Sequence, residues 1–302
     1  MAVCRHPAMR PDQLMRKTPL PDFPIIDSHV HLYDVDRLSY SWLASRPAIN
    51  HSHFVPDYLA QCGETRVEKL VFAEVWIDAH LNLQEAEWVS EQAARYPVIQ
   101  GMIAAAPLER GAGVEADLDV LAHHPTLRAI RRITELEADP AYCLRPDFIE
   151  GVRRLGERGL VCDICAFHFQ LSAVVELVRL CPGTTFVLDH IGKPGIRAGL
   201  LDPWRDDMAR LARLPNVAVK ISGVVTEADH GAWTRQQLRP YLDHTIASFG
   251  FDRVLYGSDW PVVNLASSHA EWLDIVDEIV SGCSPEERRK LYRDNALRLY
   301  RL

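Results

Sequence analysis

Short apolar segments alternate with longer amphipathic segments along the whole chain. Eight of the apolar segments have the length and β-branched, aliphatic character of strands, and they cover residues 24–31, 69–76, 98–106, 127–134, 160–168, 184–191, 216–223 and 253–260. Each is a nearly continuous apolar run, which is typical of strands that are covered on both faces. The pattern therefore predicts a parallel sheet with helices on its outside.

The segments between the predicted strands carry helix signals. Residues 146–158 place apolar side chains at helical spacing, and Gly159 follows as a cap. A second helix is predicted over 172–180, and the last helix begins at the capping box 284–287 and continues through Leu299. Eight strands separated by helices predict one α/β domain, a (β/α)8 TIM barrel. An open doubly wound sheet is the alternative, but no Gly-x-Gly-x-x-Gly follows the first strand.

Composition and charge restrict the possible partners and cellular location of the protein. The chain has 302 residues, 48% of them hydrophobic, and a formal net charge of −8, which argues against nucleic acid or an anionic membrane as a partner. Residues 1–23 are polar and lack the apolar stretch of a signal peptide, so we interpret them as a tail or strap ahead of a barrel over 24–302. We expect a cytoplasmic protein, and the sequence leaves its oligomeric state open, a homo-oligomer included.

Polar side chains gather at the C-terminal ends of the predicted strands, where such barrels carry catalytic groups. His29 and His31 lie two residues apart on the first strand, so both point to one face and can form a metal clamp or a proton-transfer pair. The further candidates at strand ends are Glu74, Trp76, Arg131, His168, His190, Asp259 and Trp260. Burying such groups unpaired is costly, so their accumulation at one end indicates a site.

Several candidates also have a purely structural interpretation. Glu74 either binds substrate or forms a salt bridge with a barrel arginine. Of the neighbours Arg131 and Arg132 only one can face the interior, and we expect Arg131 to do so. Lys220 is expected to be an interior ion-pair partner rather than a catalytic group, and Asp189 to brace a neighbour.

Three motifs resemble a known family. Asp-Ser-His-Val-His (27–31), Leu-Asp-His-Ile-Gly-Lys-Pro (188–194) and Tyr-Gly-Ser-Asp-Trp-Pro-Val (256–262) together resemble the amidohydrolase superfamily, in its amidohydrolase 2 branch. Within it the chain is similar to the sugar-lactonase and dicarboxylate-lactonase group. The resemblance implies a distorted (β/α)8 barrel that hydrolyses a lactone ring to a hydroxy acid. It places His29, His31, His190 and Asp259 at the reaction centre.

The resemblance also bears on whether the protein binds a metal ion. Many amidohydrolases hold zinc through the strand 1 pair, a strand 5 histidine and the strand 8 aspartate, whereas some lactonases of this branch work without metal. The metal-binding lysine of the binuclear members has no counterpart on strand 4, where Arg131 and Arg132 stand. We therefore expect zero or one divalent ion, with Zn2+ as that ion and His29, His31, Asp259 and His168 as its ligands.

The residues suggest a division of roles on a small-molecule lactone. Asp259 would take the proton of the attacking water and return it to the leaving hydroxyl. Substrate binding is assigned to Glu74, Trp76, Arg131, His168 and Trp260. One inward arginine suits a polyhydroxy lactone, whereas two would suit a dicarboxylate lactone. The alternative is a metal-dependent non-oxidative decarboxylase of an aromatic or muconate-type acid, which a clear strand 5 ligand would favour.

Overall fold

A single sheet of eight parallel strands forms the centre of the molecule. The computed structural model describes residues 20–302, so the predicted tail lies almost entirely outside the described residues. The strands pair in sequence order: β1 Ile25–Val30, β2 Val67–Ala73, β3 Ile99–Ala105, β4 Leu127–Arg131, β5 Val161–Ile164, β6 Thr185–Leu188, β7 Val217–Ile221 and β8 Val254–Tyr256. The barrel closes where Val30 bridges Trp260 and the His31 N–H donates to the Trp260 carbonyl at 2.7 Å. The predicted (β/α)8 barrel is confirmed.

Helices follow the strands and surround the sheet. Within residues 20–302 they are α1 Val55–Cys62, α2 Asn82–Arg95, α3 Glu115–Leu121, α4 Pro146–Glu157, α5 Leu171–Leu180, α6 Trp204–Ala212, α7 Arg235–Phe249, α8 His269–Ile279, α9 Pro285–Arg289 and α10 Asn295–Tyr300. The predictions for α4 and α5 are confirmed, as is the capping box, because Ser284 Oγ accepts from the Glu287 N–H. The last predicted helix is interrupted by a π-turn at Lys290–Asp294, between α9 and α10. None of the helices described is long and apolar enough to cross a membrane.

Alternate side chains of the strands point into the barrel and form two layers. The layer nearer the N-terminal strand ends is apolar and packs against α10; it contains Ile26, Val71, Ile103, Ala129, Val161, Val187, Ala218, Leu255, Ala296 and Tyr300. On β4 to β7 the next inward positions are occupied by Arg131, Asp163, Asp189 and Lys220, all buried. Side chains two residues apart on a strand share a face. Each of these four strands therefore places an apolar residue at the floor of the barrel and leads to a charged residue beneath its mouth.

Candidate active site

Four side chains from three strand ends converge at the barrel mouth. Nε2 of His29 lies 3.2 Å from Nε2 of His31, and Oδ1 of Asp259 lies 3.7 Å from the first and 3.3 Å from the second. Nε2 of His190, which follows β6, lies 4.0 Å from the same carboxylate oxygen. All four side chains are buried. We refer to His29, His31, His190 and Asp259 as the mouth cluster.

Each histidine of the mouth cluster directs Nε2 inward because its Nδ1 is engaged behind the ring. Nδ1 of His31 donates to a backbone carbonyl at the end of β2, 2.9 Å away. Nδ1 of His190 lies 2.9 Å from Oγ of Ser222, and Nδ1 of His29 lies 3.3 Å from Oδ1 of Asp189. Such outer contacts fix the tautomer and the orientation of metal-binding imidazoles.

The mouth cluster fits a tetrahedral divalent ion. Donors bound at about 2.0–2.1 Å around such an ion lie roughly 3.3 Å from one another, and the donor atoms of His29, His31 and Asp259 lie 3.2–3.7 Å apart. His190, 4.0 Å from Asp259, forms a second group of potential ligands with His29 and Asp189. Burial lowers the pKa of His29 well below its ordinary value and that of His190 to about 4, so both rings are neutral at neutral pH. Neutral imidazoles with one carboxylate are a donor set suited to zinc and similar ions.

A charged layer lies directly beneath the cluster. Nζ of Lys220 is 2.5 Å from Oδ2 of Asp163 and 3.0 Å from Oδ1 of Asp189. Arg131 joins the same network, because its guanidinium is 2.9 Å from Asp189 and 2.7 Å from Glu74. With the carboxylate of the mouth cluster, four carboxylates face two cations. Because a buried excess of negative charge is costly, the interior favours a divalent cation at the mouth.

The backbone after β6 winds to the left over four consecutive residues. His190, Ile191, Gly192 and Lys193 have φ angles of 54°, 48°, 70° and 42°. A non-glycine residue in this region costs roughly 1–3 kcal/mol, and a β-branched one is a particular outlier. The turn is held by burial of Ile191, whose carbonyl accepts from Nε1 of Trp204 at 2.7 Å. Strain at this position places His190 in the cluster and ends the predicted strand three residues early.

Two glycines leave the space that the mouth cluster occupies. A Cβ added to Gly223, whose φ is +61°, would lie 2.4 Å from Nδ1 of His190 and 3.1 Å from Oδ2 of Asp259. A Cβ added to Gly257 would lie 2.8 Å from Cβ of His29. Neither glycine could be identified as part of the site from the sequence, because a sequence does not show how closely a distant side chain approaches a glycine in the fold.

Glu74 and Arg131, both assigned to substrate binding, are engaged with other protein groups. Nε of Arg131 donates to Glu74 at 2.7 Å, and the second oxygen of Glu74 accepts from the Trp76 N–H at 2.6 Å. Arg131 faces the interior, as expected, whereas Arg132 points outward and pairs with two glutamates. The structure therefore gives Glu74 the salt-bridge interpretation, and both residues support the cluster from below.

His168 does not reach the mouth cluster. Strand β5 ends at Ile164, and His168 lies in the following turn, where its Nδ1 is 3.1 Å from the carbonyl oxygen of Lys193. It belongs to neither group of potential metal ligands that the described residues form. His190, and not His168, is the further histidine near Asp259, at 4.0 Å from its Oδ1, and it forms a group of potential ligands with His29 and Asp189.

The two tryptophans predicted to bind substrate differ in accessibility. Trp76 is partly exposed and stacks on Trp42 with ring centroids 6.3 Å apart. Trp260 is 1% exposed and packs edge-on against Tyr58. Trp76 is therefore the one of the two that a ligand at the mouth can reach without rearrangement.

Known proteins share this architecture. Residues 26–302 match the amidohydrolase family Amidohydro_2. The chain is 31% identical to protein y4mH of Sinorhizobium fredii, covering 93% of this chain and 99% of that one, and 30% identical to an L-fucono-1,5-lactonase of Burkholderia multivorans, covering 92% and 96%. The crystal structure of a Burkholderia multivorans amidohydrolase with bound zinc matches with a TM-score of 0.84 and 27% identity, over 93% of this chain and 100% of that one. That zinc and the mouth cluster here support a divalent metal. The chain belongs to the amidohydrolase family.

Proposed function

We propose that this protein hydrolyses the ester bond of a lactone and releases the hydroxy acid. The observation that carries the proposal is the mouth cluster, three imidazoles and Asp259, at the open end of a barrel whose interior holds an excess of negative charge. Similarity to the L-fucono-1,5-lactonase over nearly its whole length supports the same class of reaction.

The mouth cluster would hold one ion, and we infer zinc from its imidazole-rich donor set. Bound there, zinc would polarise the lactone carbonyl and lower the pKa of water. We expect no second ion, because Nζ of Lys220 already lies 3.0 Å from Asp189 and 3.3 Å from Nδ1 of His29. The ammonium occupies the space in which another cation would meet these donors.

Asp259 is the residue that we assign to proton transfer. Its Oδ1 faces the three histidines, whereas its Oδ2 forms no hydrogen bond within residues 20–302. Burial would raise the pKa of Asp259, but His190, His31 and His29 hold it below its ordinary value, so the carboxylate can accept a proton at neutral pH. Water would attack the carbonyl carbon as Oδ2 takes its proton. The ring C–O bond would then break and the same proton would pass to the leaving oxygen.

We infer a neutral sugar-acid lactone as the substrate. A dicarboxylate lactone needs unpaired cations, and the buried ones near the cluster, Arg131 and Lys220, are each bound by two carboxylates. Arg132 points away from the mouth. The name of the Burkholderia multivorans relative, an L-fucono-1,5-lactonase, agrees with this choice.

The decarboxylase alternative has less support. That reaction requires a carboxylate-facing pocket, and a clear metal ligand on strand 5 would favour it. The candidate for that ligand, His168, lies outside the mouth cluster. The same pairing of Arg131 and Lys220 that disfavours a dicarboxylate lactone also disfavours a carboxylic acid substrate at the mouth cluster.

The test combines metal content, chelation and an acid-to-amide substitution. The purified protein should contain about one zinc and hydrolyse aldonolactones in a pH-indicator assay, and activity should vanish on chelation and return with zinc. Asp259→Asn should lower kcat by roughly 10²–10⁴-fold, the range for loss of a general acid–base group. Asp243→Asn, the same change on the exposed face of α7, is the matched control.

Each outcome decides between explanations. Full activity in metal-free protein would make the mouth cluster a set of proton-transfer and hydrogen-bonding groups instead of a metal site. Near-normal turnover by Asp259→Asn would refute its role as the base. Failure of the zinc-loaded protein to open any lactone would refute the proposed function itself.

A further inference from the structure

A groove of about 580 Å³ opens beside the mouth cluster, between the turns that follow β5, β6 and β7. Its walls include Phe167, Phe169, Arg197 and Glu227. The groove lies on the catalytic face, because all of these residues follow the C-terminal ends of strands. Glu227 on its wall follows Gly223 by four residues, and a Cβ at Gly223 would meet His190 and Asp259, so the groove lies next to the mouth cluster.

At the inner end of the groove, Glu227 is poorly satisfied. Its carboxylate is mostly buried, with 16% of the side chain exposed, and its nearest cation is Nζ of Lys193 at 3.8 Å. Lys193 is bound more tightly by Glu135, at 2.5 Å, and Glu135 also accepts from the Cys165 thiol. No hydrogen bond to the Glu227 side chain is formed within residues 20–302. A buried carboxylate without donors is costly, so Glu227 lacks hydrogen-bond donors that a ligand can supply.

The charges around Glu227 select among ligands. Two carboxylates, Glu135 and Glu227, face the single ammonium of Lys193, so an anionic substituent next to Glu227 would be repelled. Burial raises the pKa of Glu227 to about 7 although Lys193 opposes this, which agrees with an incompletely paired carboxylate. Hydroxyl groups suit the site, because they donate to a carboxylate and accept from an ammonium without bringing charge.

An aromatic wall completes the groove. The rings of Phe167 and Phe169 are stacked with centroids 5.7 Å apart, and Phe169 is 52% exposed. Lys193 lies over the ring of Phe167, 5.2 Å from its centroid, so the polar end and the aromatic wall adjoin. An exposed aromatic face beside hydrogen-bonding groups is the pairing that a sugar ring requires, since the ring has apolar C–H faces and hydroxyl edges.

We propose that Glu227 determines specificity by binding ring hydroxyls of the substrate in this groove, with Phe169 against the face of the ring and Lys193 behind Glu227. The inference rests on the proposed lactonase function and adds what that function does not require, a site that recognises the hydroxyl groups. Glu227 then acts on substrate binding and leaves the chemistry at the mouth cluster unchanged.

The test compares Glu227→Gln and Glu227→Ala with wild type on two lactones of equal ring size. One is a polyhydroxylated 1,5-aldonolactone and the other is unsubstituted δ-valerolactone. For the hydroxylated lactone, kcat/KM should fall about 10- to 100-fold in Glu227→Ala, mainly through KM, the loss expected for hydrogen bonds to a charged group. The δ-valerolactone kcat/KM should not change. Glu176→Gln, an exposed glutamate on α5, is the matched control.

A binding measurement separates this inference from the proposed function. Titration calorimetry with a 1,5-anhydrohexitol, which has the ring hydroxyls but no lactone carbonyl, should show binding to wild type that is at least about tenfold weaker in Glu227→Ala. Polyol binding without hydrolysis of any lactone would refute the function and keep the hydroxyl site. Equal losses on both lactones, no change on either, or no polyol binding by wild type would overturn the inference.

Discussion

Replacement of Gly223 by alanine tests whether the position of His190 controls the site. The added Cβ would lie 2.4 Å from Nδ1 and 2.7 Å from Cγ of His190. Contacts between such atoms are comfortable only at about 3.5–4.0 Å, so the imidazole must move by roughly 1 Å or more. The third-nearest atom is Oδ2 of Asp259 at 3.1 Å, so the clash falls on two members of the mouth cluster.

The displacement should affect activity far more than stability. A misplacement of about 1 Å at a reacting centre costs roughly 10²-fold in rate, and we expect at least that loss in kcat/KM for Gly223→Ala. The φ angle of +61° adds roughly 1–2 kcal/mol of backbone strain, which lowers Tm by about 2–3 °C for a chain of this size. Zinc affinity should fall as well, because His190 Nε2 leaves its position.

Gly250→Ala is the matched control for this experiment. Its φ is +67°, but nothing lies within 4 Å of the added Cβ, so it carries the strain without the clash. Lactone hydrolysis, zinc content and thermal unfolding should be measured for both variants. Gly250→Ala should have a lower Tm than the wild type and the same activity. Normal turnover and zinc content in Gly223→Ala, or an equal loss of activity in the control, would refute the reasoning.

Three further substitutions test the network around the cluster. Asp189→Asn removes one of the two carboxylates bound to Lys220 and should lower the free energy of unfolding, measured in urea, by roughly 3–5 kcal/mol. An unchanged urea midpoint would contradict a stabilising role of the charged layer. Ser222→Ala removes the partner of His190 Nδ1 and should weaken zinc binding about 10- to 100-fold in a competition with a chromophoric chelator, and unaltered affinity would count against it. Tyr300→Phe removes a donor to a buried carboxylate and should cost roughly 1.5–3 kcal/mol without changing kcat of the zinc-loaded enzyme, whereas a fall in kcat would show coupling to the site.

The order of strands and helices follows from the sequence, but the ends of strands do not. Residues 184–191 were predicted as one strand, with Asp189 and His190 as polar groups at its end. In the structure β6 ends at Leu188, and Ile191 is buried by a left-handed turn instead of by the sheet. Hydrophobicity reports that a residue is buried and does not report the direction of the backbone. His168 was misplaced for the same reason, since β5 ends four residues before it.

The sequence identifies candidate residues because polar groups that face inward at strand ends are unusual. It does not show which of these residues pair with one another. Glu74 and Arg131 are 57 residues apart, and Tyr300 is 137 residues from Asp163. Only the order and stagger of the closed barrel bring such residues together. From the sequence, Glu74 was therefore assigned to substrate binding, with a salt bridge to a barrel arginine as the alternative, and Lys220 to an ion pair without identified partners. Glu227 carried no motif, and only the groove reveals it.

The charged layer explains how a metal site can be both tight and separable from folding. Nζ of Lys220 lies among Asp163, Asp189 and Nδ1 of His29, at 2.5–3.3 Å, and Arg131 secures Asp189 from the other side. Oδ1 of Asp189, which these two cations hold ionised, lies 3.3 Å from Nδ1 of His29 and orients its ring without metal. Chelation should therefore remove activity and leave far-UV circular dichroism unchanged. Unfolding on chelation, as in small zinc domains, would mean that the ion itself balances the buried charge.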